Sequence, residues 1–166
     1  VNLSARQFYN NDLVQTIKEI LRSTELSPNC LELEITETAT MRNTNLAKQI
    51  LSSLHQMGIS LSMDDFGTGY SSLSYLKDFP FSTIKIDRSF VSNMSQGLKN
   101  QDIVNTIVIL AHRLGMDVIA EGIETREEQD ILTQFDCEYG QGYYFAKPLS
   151  QKDATELFEQ HKTWDT

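Results

Sequence analysis

The segment Asp64-Asp65-Phe66-Gly67-Thr68-Gly69-Tyr70-Ser71-Ser72 places two adjacent carboxylates at the end of the apolar run Ile59 to Met63 and follows them with a glycine- and serine-rich turn. Paired negative charge at the C-terminal end of a strand is where open α/β folds and β/α barrels keep their chemistry. Two carboxylates about 4 Å apart repel by about 4 kcal/mol at an effective dielectric of about 20. A shared proton, a basic side chain or a divalent cation must offset that repulsion.

Further polar residues fall at the ends of other strand-like runs: Asn2, Glu34, Lys85 with Asp87, Glu121 and Gln141. Period-2 alternation puts Leu31, Leu33 and Ile35 on one strand face and Glu32 and Glu34 on the other, and it separates Ile84 and Ile86 from Lys85 and Asp87. A lysine among apolar residues is costly to bury unless it is paired or functional. The donors are all oxygens plus one amine. His55, His112 and His161 fall inside predicted helices, on solvated faces, so zinc is disfavoured and hard cations such as Mg²⁺ or Mn²⁺ suit the set. A proton-sharing dyad would not need Glu34 and Glu121 as well, which selects the cation. A carboxylate such as Asp64 could bridge two ions in a clamp suited to phosphodiester hydrolysis.

Three weaker signals accompany these. Gly67-Thr68-Gly69 lacks P-loop spacing and reads as a loop rather than a phosphate cradle. Glu37 either caps the helix that follows it or holds the Asp65–Ser72 loop through backbone N–H groups or hydroxyls. Tyr143, Tyr144 and Phe145 read as packing, with one ring able to stack on a base at a barrel rim.

The elements that must position these groups alternate. Helices are predicted at about Asp12–Arg22 (face Leu13, Ile17, Ile20, Leu21), Thr44–Met57 (Leu46, Ile50, Leu51, Leu54, Met57), Gln101–Leu114 (Ile103, Ile107, Leu110, Ala111, Leu114) and Gln151–Gln160, with a short helix at Ser71–Lys77. Thr125 to Glu128 forms a capping box that opens one more. Strands are predicted at Cys30–Ile35, Ser60–Met63, Thr83–Ile86, Asp117–Ala120 and Glu138–Tyr144, with Val1–Ser4 as the end of another. Strands alternating with amphipathic helices predict a parallel sheet, and this many units favour a TIM-like β/α barrel over an open sheet. An internal repeat supports it: Gly58 to Asp64 and Gly115 to Glu121 both run helix stop, strand, then a carboxylate six residues after the glycine.

A chain of 166 residues can bury one sizeable core, and no linker or composition shift divides it, so residues 1–166 read as one domain. Its 14 basic and 23 acidic residues give a formal charge of −9, which argues against a nonspecific grip on duplex nucleic acid but not against a small phosphorylated ligand. Cys30 and Cys137 form no metal or disulfide framework and read as buried, reduced thiols. No stretch approaches the roughly 18 apolar residues of a membrane span, and no signal peptide pattern is present, which makes the cytoplasm the default location.

Together these residues resemble the EAL domain family, the phosphodiesterases of the bacterial second messenger cyclic di-GMP. The matching segments are Val1-Asn2-Leu3-Ser4, Glu34-Ile35-Thr36-Glu37, the Asp64–Ser72 motif, Ile84-Lys85-Ile86-Asp87, Ala120-Glu121-Gly122-Ile123-Glu124 and Gln141-Gly142-Tyr143-Tyr144-Phe145-Ala146-Lys147-Pro148. The resemblance implies a modified β/α barrel that hydrolyses cyclic di-GMP to linear pGpG. It implies that Asn2, Glu34, Asp64, Asp65 and Glu121 bind two Mg²⁺ or Mn²⁺ ions, with Asp64 bridging. Lys85 and Gln141 would then position and help activate the attacking water, Glu37 would brace the catalytic loop, and Asp87, Glu124 and Pro148 would lie near the nucleotide. It also implies dimers near the Asp-Asp loop and fusion to sensory or diguanylate cyclase domains.

The Glu-Ala-Leu segment that gives the family its name does not occur here. Its glutamate is a metal ligand in the family, and an arginine just after it holds substrate. A barrel of this class needs about 250 residues, so the expectation is a domain cut just before Asn2, with roughly a third absent and unclosed sheet edges exposed. Two other activities compete: a cyclic di-GMP receptor that binds without hydrolysis, and a metal-dependent barrel lyase acting on carboxylic acids.

Overall fold

A computed structural model of the chain describes residues 1–69, 76–94 and 97–160. Among them, six strands form one wholly parallel sheet in sequence order: β1 (Asn2–Leu3), β2 (Glu32–Thr36), β3 (Ser60–Phe66), β4 (Thr83–Ile86), β5 (Asp117–Glu121) and β6 (Tyr139–Gln141). Eight helices connect and flank them: α1 (Ala5–Phe8), α2 (Leu13–Thr24), α3 (Glu37–Met41), α4 (Thr44–Gln56), α5 (Arg88–Val91), α6 (Leu98–Arg113), α7 (Arg126–Gln134) and α8 (Gln151–Glu159). Sequential parallel strands with helical crossovers are the order of a β/α barrel wall, here with β1 and β6 each paired on one side only. Among the described residues no helix is long and apolar enough to cross a membrane.

The sheet has two chemically different faces, and its register shows why. Leu3, Ile35, Met63, Ile84 and Val118 are successive cross-strand partners and all are buried. They meet the apolar faces of the helices: Phe8 from α1, Leu51 and Leu54 from α4, Val104 and Val108 from α6. On the opposite face the register row runs Asn2, Glu34, Ser62, Thr83. A row of that composition cannot serve as an apolar core, so the wall's helix side carries the packing and its other side carries the polar groups.

The alternation pattern in β2 and β4 falls as predicted, and so does the capping box: Thr125 accepts from the Glu128 N–H while the Glu128 carboxylate accepts from the Thr125 N–H at 3.0 Å. A second box, Ser4 with Gln7, opens α1 and was not predicted. Several expectations are corrected. Helix α6 begins at Leu98, and its buried stripe is Val104, Ile107, Val108 and Ala111, because Ile103 turns outward. Ile20 and Leu46 likewise face solvent while Ala47 joins the core. Strand β6 stops at Gln141 rather than Tyr144: the chain turns there so that Ile123 donates to the Gln141 carbonyl and Tyr144 donates to the Ile123 carbonyl, 3.1 and 3.0 Å. Cys30 is exposed, at the end of a 3₁₀ turn opened by Pro28. Cys137 is half-buried, and burial pushes its thiol up to about 11. His112 is not merely solvated, since its Nε2 lies 2.7 Å from Glu138. The predicted short helix at Ser71–Lys77 and His161 fall wholly or mostly outside the described residues.

Candidate active site

Lys85 stands at the centre of the polar face. Its Nζ lies 2.6 Å from Glu121, 2.9 Å from Glu34 and 3.3 Å from Asp64, so one ammonium ties β2, β3 and β5 to β4. The Lys85 side chain is only 6 % exposed. Burial by itself would push its pKa down. The hydrogen-bonded carboxylates of Glu121 and Glu34, together with the charges of Glu121 and Asp64, outweigh burial and hold the ammonium above its ordinary value. In this arrangement Lys85 is a charged donor to the carboxylates around it.

The two adjacent aspartates reach this centre through a bulge. Met63 pairs with Ile84 and Phe66 with Ile86, so Asp64 and Asp65 together stand opposite the single residue Lys85. The extra residue has φ +55°, in the left-handed region that aspartate tolerates better than most side chains. The bulge also resets the alternation. In a regular strand Phe66 would share the polar face with Asp64; after the bulge it is buried against the helices. Asp65 is raised from its ordinary carboxylate range by burial and by the neighbouring charges of Asp64 and Asp87, with Lys85 opposing. Burial also raises Glu121; Lys85 opposes this shift, and the Asp64 and Glu34 charges add to it.

The loop after β3 is braced by Glu37. The Thr36 side chain caps α3 by accepting from the Ala39 N–H, which puts Glu37 in the first helical turn, fully buried. Its Oε2 accepts from the Gly67 N–H at 3.0 Å. A Cβ at Gly69 would stand 2.8 Å from Glu37 Oε1, so only glycine lets the loop lie this close. The sequence reading that Glu37 holds the loop is supported at Gly67; residues 70–72 of that loop lie outside the described residues.

The other expected site residues are placed as follows. Asn2 is the register partner of Glu34, at an exposed edge. Gln141 is the register partner of Glu121 on the other edge. A cleft of about 200 Å³ runs from Glu121 past Gln141 to Glu124, Arg88 and Tyr143. Asp87 caps α5 by accepting from the Ser89 N–H at 3.0 Å, a structural role beside its charge on Asp65. Pro148 is exposed in the segment between β6 and α8. The sequence reading missed Arg88, although it is a basic residue just three positions beyond Lys85 at the start of the next helix.

Sequence reasoning assigned the offset of carboxylate repulsion to a cation, whereas here a basic side chain takes part of it. Among the described residues no three His, Cys, Asp or Glu side chains converge as a cage for a metal ion. The donor chemistry nonetheless fits a hard divalent ion. Three carboxylates face one ammonium, leaving an excess of two negative charges before Asp65 is counted. Asp64 Oδ1 is buried and makes no hydrogen bond, only the 3.3 Å ion pair. An ion would settle here at the expense of at least one of the Lys85 contacts.

A family model described as "EAL domain" matches residues 1–148. The chain is 45 % identical over 160 residues to the signaling protein YkoW of Bacillus subtilis, covering 96 % of this chain and 20 % of YkoW. It is 42 % identical over 149 residues to MucR of Pseudomonas aeruginosa, described as a bifunctional diguanylate cyclase/cyclic di-GMP phosphodiesterase, covering 90 % of this chain and 22 % of MucR. A solved structure of a MucR phosphodiesterase in complex with c-di-GMP superposes with TM-score 0.90 at 41 % identity, over 93 % of this chain and 62 % of that one. The Klebsiella pneumoniae BlrP1 manganese/cy-diGMP complex superposes with TM-score 0.82 at 33 % identity, over 89 % of this chain and 38 % of that one. The chain thus spans about a fifth of the length of the curated relatives it matches.

Proposed function

This chain belongs to the EAL domain family, and from that premise we propose that its protein hydrolyses cyclic di-GMP to linear pGpG with two Mg²⁺ or Mn²⁺ ions as cofactors. The observation that carries the reading is the meeting of Glu34, Asp64 and Glu121 on Lys85 Nζ, from four different strands, beside the bulged Asp65. The relatives named as binding or acting on c-di-GMP support the substrate, and the manganese complex supports the class of ion.

In this reading Asn2, Glu34, Asp64, Asp65 and Glu121 hold the ions. Bound there, the ions supply Lewis-acid stabilisation of charge on the phosphoryl oxygens. Water attacks phosphorus in line; a P–O bond of the ring breaks, and its oxygen leaves with a proton as a free hydroxyl. Lys85 orients the water or a phosphoryl oxygen by donation from its ammonium. The proton that water gives up passes, by way of Asp65 or Glu121, to the leaving oxygen. Gln141, open on β6, helps place the water, Glu37 keeps the Gly67 turn against the site, and Asp87, Glu124 and Pro148 lie toward the nucleotide. Residues 1–166 act as part of one domain of a longer signalling protein, as the lengths of the relatives suggest.

The test uses the full-length protein. With cyclic di-GMP and Mg²⁺ or Mn²⁺ it should release pGpG, measured by chromatography, and Glu121→Gln should lower turnover at least a hundredfold. Tight binding without any pGpG would replace this reading with the receptor.

A further inference from the structure

Arg88 and Glu124 form an ion pair, Nη2 to Oε1 at 2.6 Å, across the cleft that opens beside Glu121 and Gln141. The pair is largely exposed, with 60 % and 43 % of the two side chains open to water. Exposed pairs of this kind contribute little to stability. Yet the backbone is built around it. The aliphatic stem of Arg88 passes directly over Gly122, so closely that any Cβ there would overlap Arg88 Cγ, Cβ and Cδ. Gly122 has φ +74°, in the left-handed region, and so meets both demands at once.

The surroundings on either side of the pair are fixed. Arg88 opens α5 immediately after Asp87, two residues beyond β4, and Asp87 caps that helix. The Glu124 N–H donates to Glu128 Oε2 at 2.8 Å, and Glu128 is itself buried in the capping box of α7. Ile123, between Gly122 and Glu124, is buried and bonded through its N–H to Gln141. The backbone at Glu124 is thereby held on both sides, and among the described residues its carboxylate is bound by Arg88.

We infer that Arg88 is a positioning residue for the reaction: it spans from the β4–α5 junction across Gly122 and fixes the Glu124 carboxylate at the rim of the cleft, so that substrate meets it already oriented. The inference rests on the proposed function, because Glu124 acts on the nucleotide only in that reading. A rim group fixed before binding spares its ordering cost at association, which appears in affinity and not in the chemical step. Arg88 is thus distinct from Lys85, whose loss removes the centre of the site.

Five full-length proteins test it: wild type, Arg88→Lys, Arg88→Met, Glu124→Gln and the double variant of the last two. Met keeps the stem over Gly122 and removes the charge, so its melting temperature should stay within about 2 °C of wild type. Arg88→Met should raise KM and the calorimetric Kd for cyclic di-GMP roughly five- to tenfold, with kcat changed less than twofold. Arg88→Lys should recover most of the affinity. The double variant should bind no more weakly than Glu124→Gln alone. Unchanged Kd in Arg88→Met, or losses that add in the double variant, would overturn the inference. If wild type binds cyclic di-GMP without turnover, the hydrolase reading fails while the Kd comparison still decides the role of Arg88. If wild type does not bind it at all, both fail.

Discussion

Replacing Lys85 with methionine removes the ammonium and keeps a stem of similar length. Glu34, Asp64 and Glu121 would then face one another with nothing between them. Removing one partner of a buried ion pair costs about 3–5 kcal/mol because a charge is left uncompensated. The carboxylates here retain 13–24 % exposure, so water recovers part of that and the lower end, about 3 kcal/mol, applies. For a domain of this size 1 kcal/mol corresponds to about 2–4 °C, so Lys85→Met should lower the domain's melting temperature by about 6–12 °C in EDTA. Added Mg²⁺ or Mn²⁺ should narrow that gap, because a divalent ion replaces the lost positive charge on the same oxygens. Turnover should not return, since the donor is still missing. The assay is thermal melting of both proteins in EDTA and in millimolar ion, with pGpG release measured in parallel. Equal melting temperatures in EDTA would refute the claim that Lys85 holds the carboxylates. A gap unaffected by the ions would refute the claim that those carboxylates take up a cation.

Two further outcomes follow from the same geometry. Glu37→Ala should strip the Gly67 N–H of its acceptor at a cost of about 1–3 kcal/mol, speeding amide exchange at Gly67 by tenfold or more; unchanged protection there would remove Glu37 as the brace. In EDTA, Glu121 and Asp65 should each favour the fold when protonated, because their folded pKa values lie above the ordinary 4.5 and 3.8. That contribution is complete below those ordinary values and is lost as pH rises through the folded ones. The melting temperature difference between wild type and Glu121→Gln should therefore turn against wild type as pH rises from about 4 toward neutrality, and bound ion should flatten the trend; a pH-independent difference would contradict the cause assigned to the Glu121 shift.

Much of the wall was legible because its two faces differ in chemistry. Leu33 and Ile35 against Glu32 and Glu34 define the orientation of β2 without any tertiary information, and Gly58 and Gly115 mark where two helices stop. The repeat from glycine to carboxylate correctly brought Asp64 and Glu121 to one place, now seen as two contacts of a single lysine. Helix faces were less legible. In α6 both Ile103 and Val104 are apolar, and only packing against β4 and β5 decides which turns inward. Arg88 escaped notice because an arginine at a helix start normally needs no explanation; the signal was Gly122, where a left-handed φ and the close arginine stem both call for glycine. The bulge did leave a trace. Leu61 and Met63 keep period 2, but the next apolar residue is Phe66 rather than Asp65, a one-residue slip in the alternation.

That slip connects the local rules to the chemistry. An unbroken β3 would send Asp64 to the polar face and Asp65 into the helix side, where a carboxylate could not stay ionised without a partner. Inserting one residue keeps Phe66 in the core and brings both aspartates opposite Lys85. Three costs fall there together: a left-handed aspartate inside a strand, a buried lysine, and a buried Asp64 oxygen with no hydrogen bond. The other left-handed non-glycine residues, Glu25 and Asp136, sit just past the ends of α2 and α7, where such a conformation commonly closes a helix. A sequence selected only for stability would have no reason to place these three around one ammonium. Their convergence at Lys85 is therefore the strongest physical reason to regard this end of the sheet as the place where the chain works.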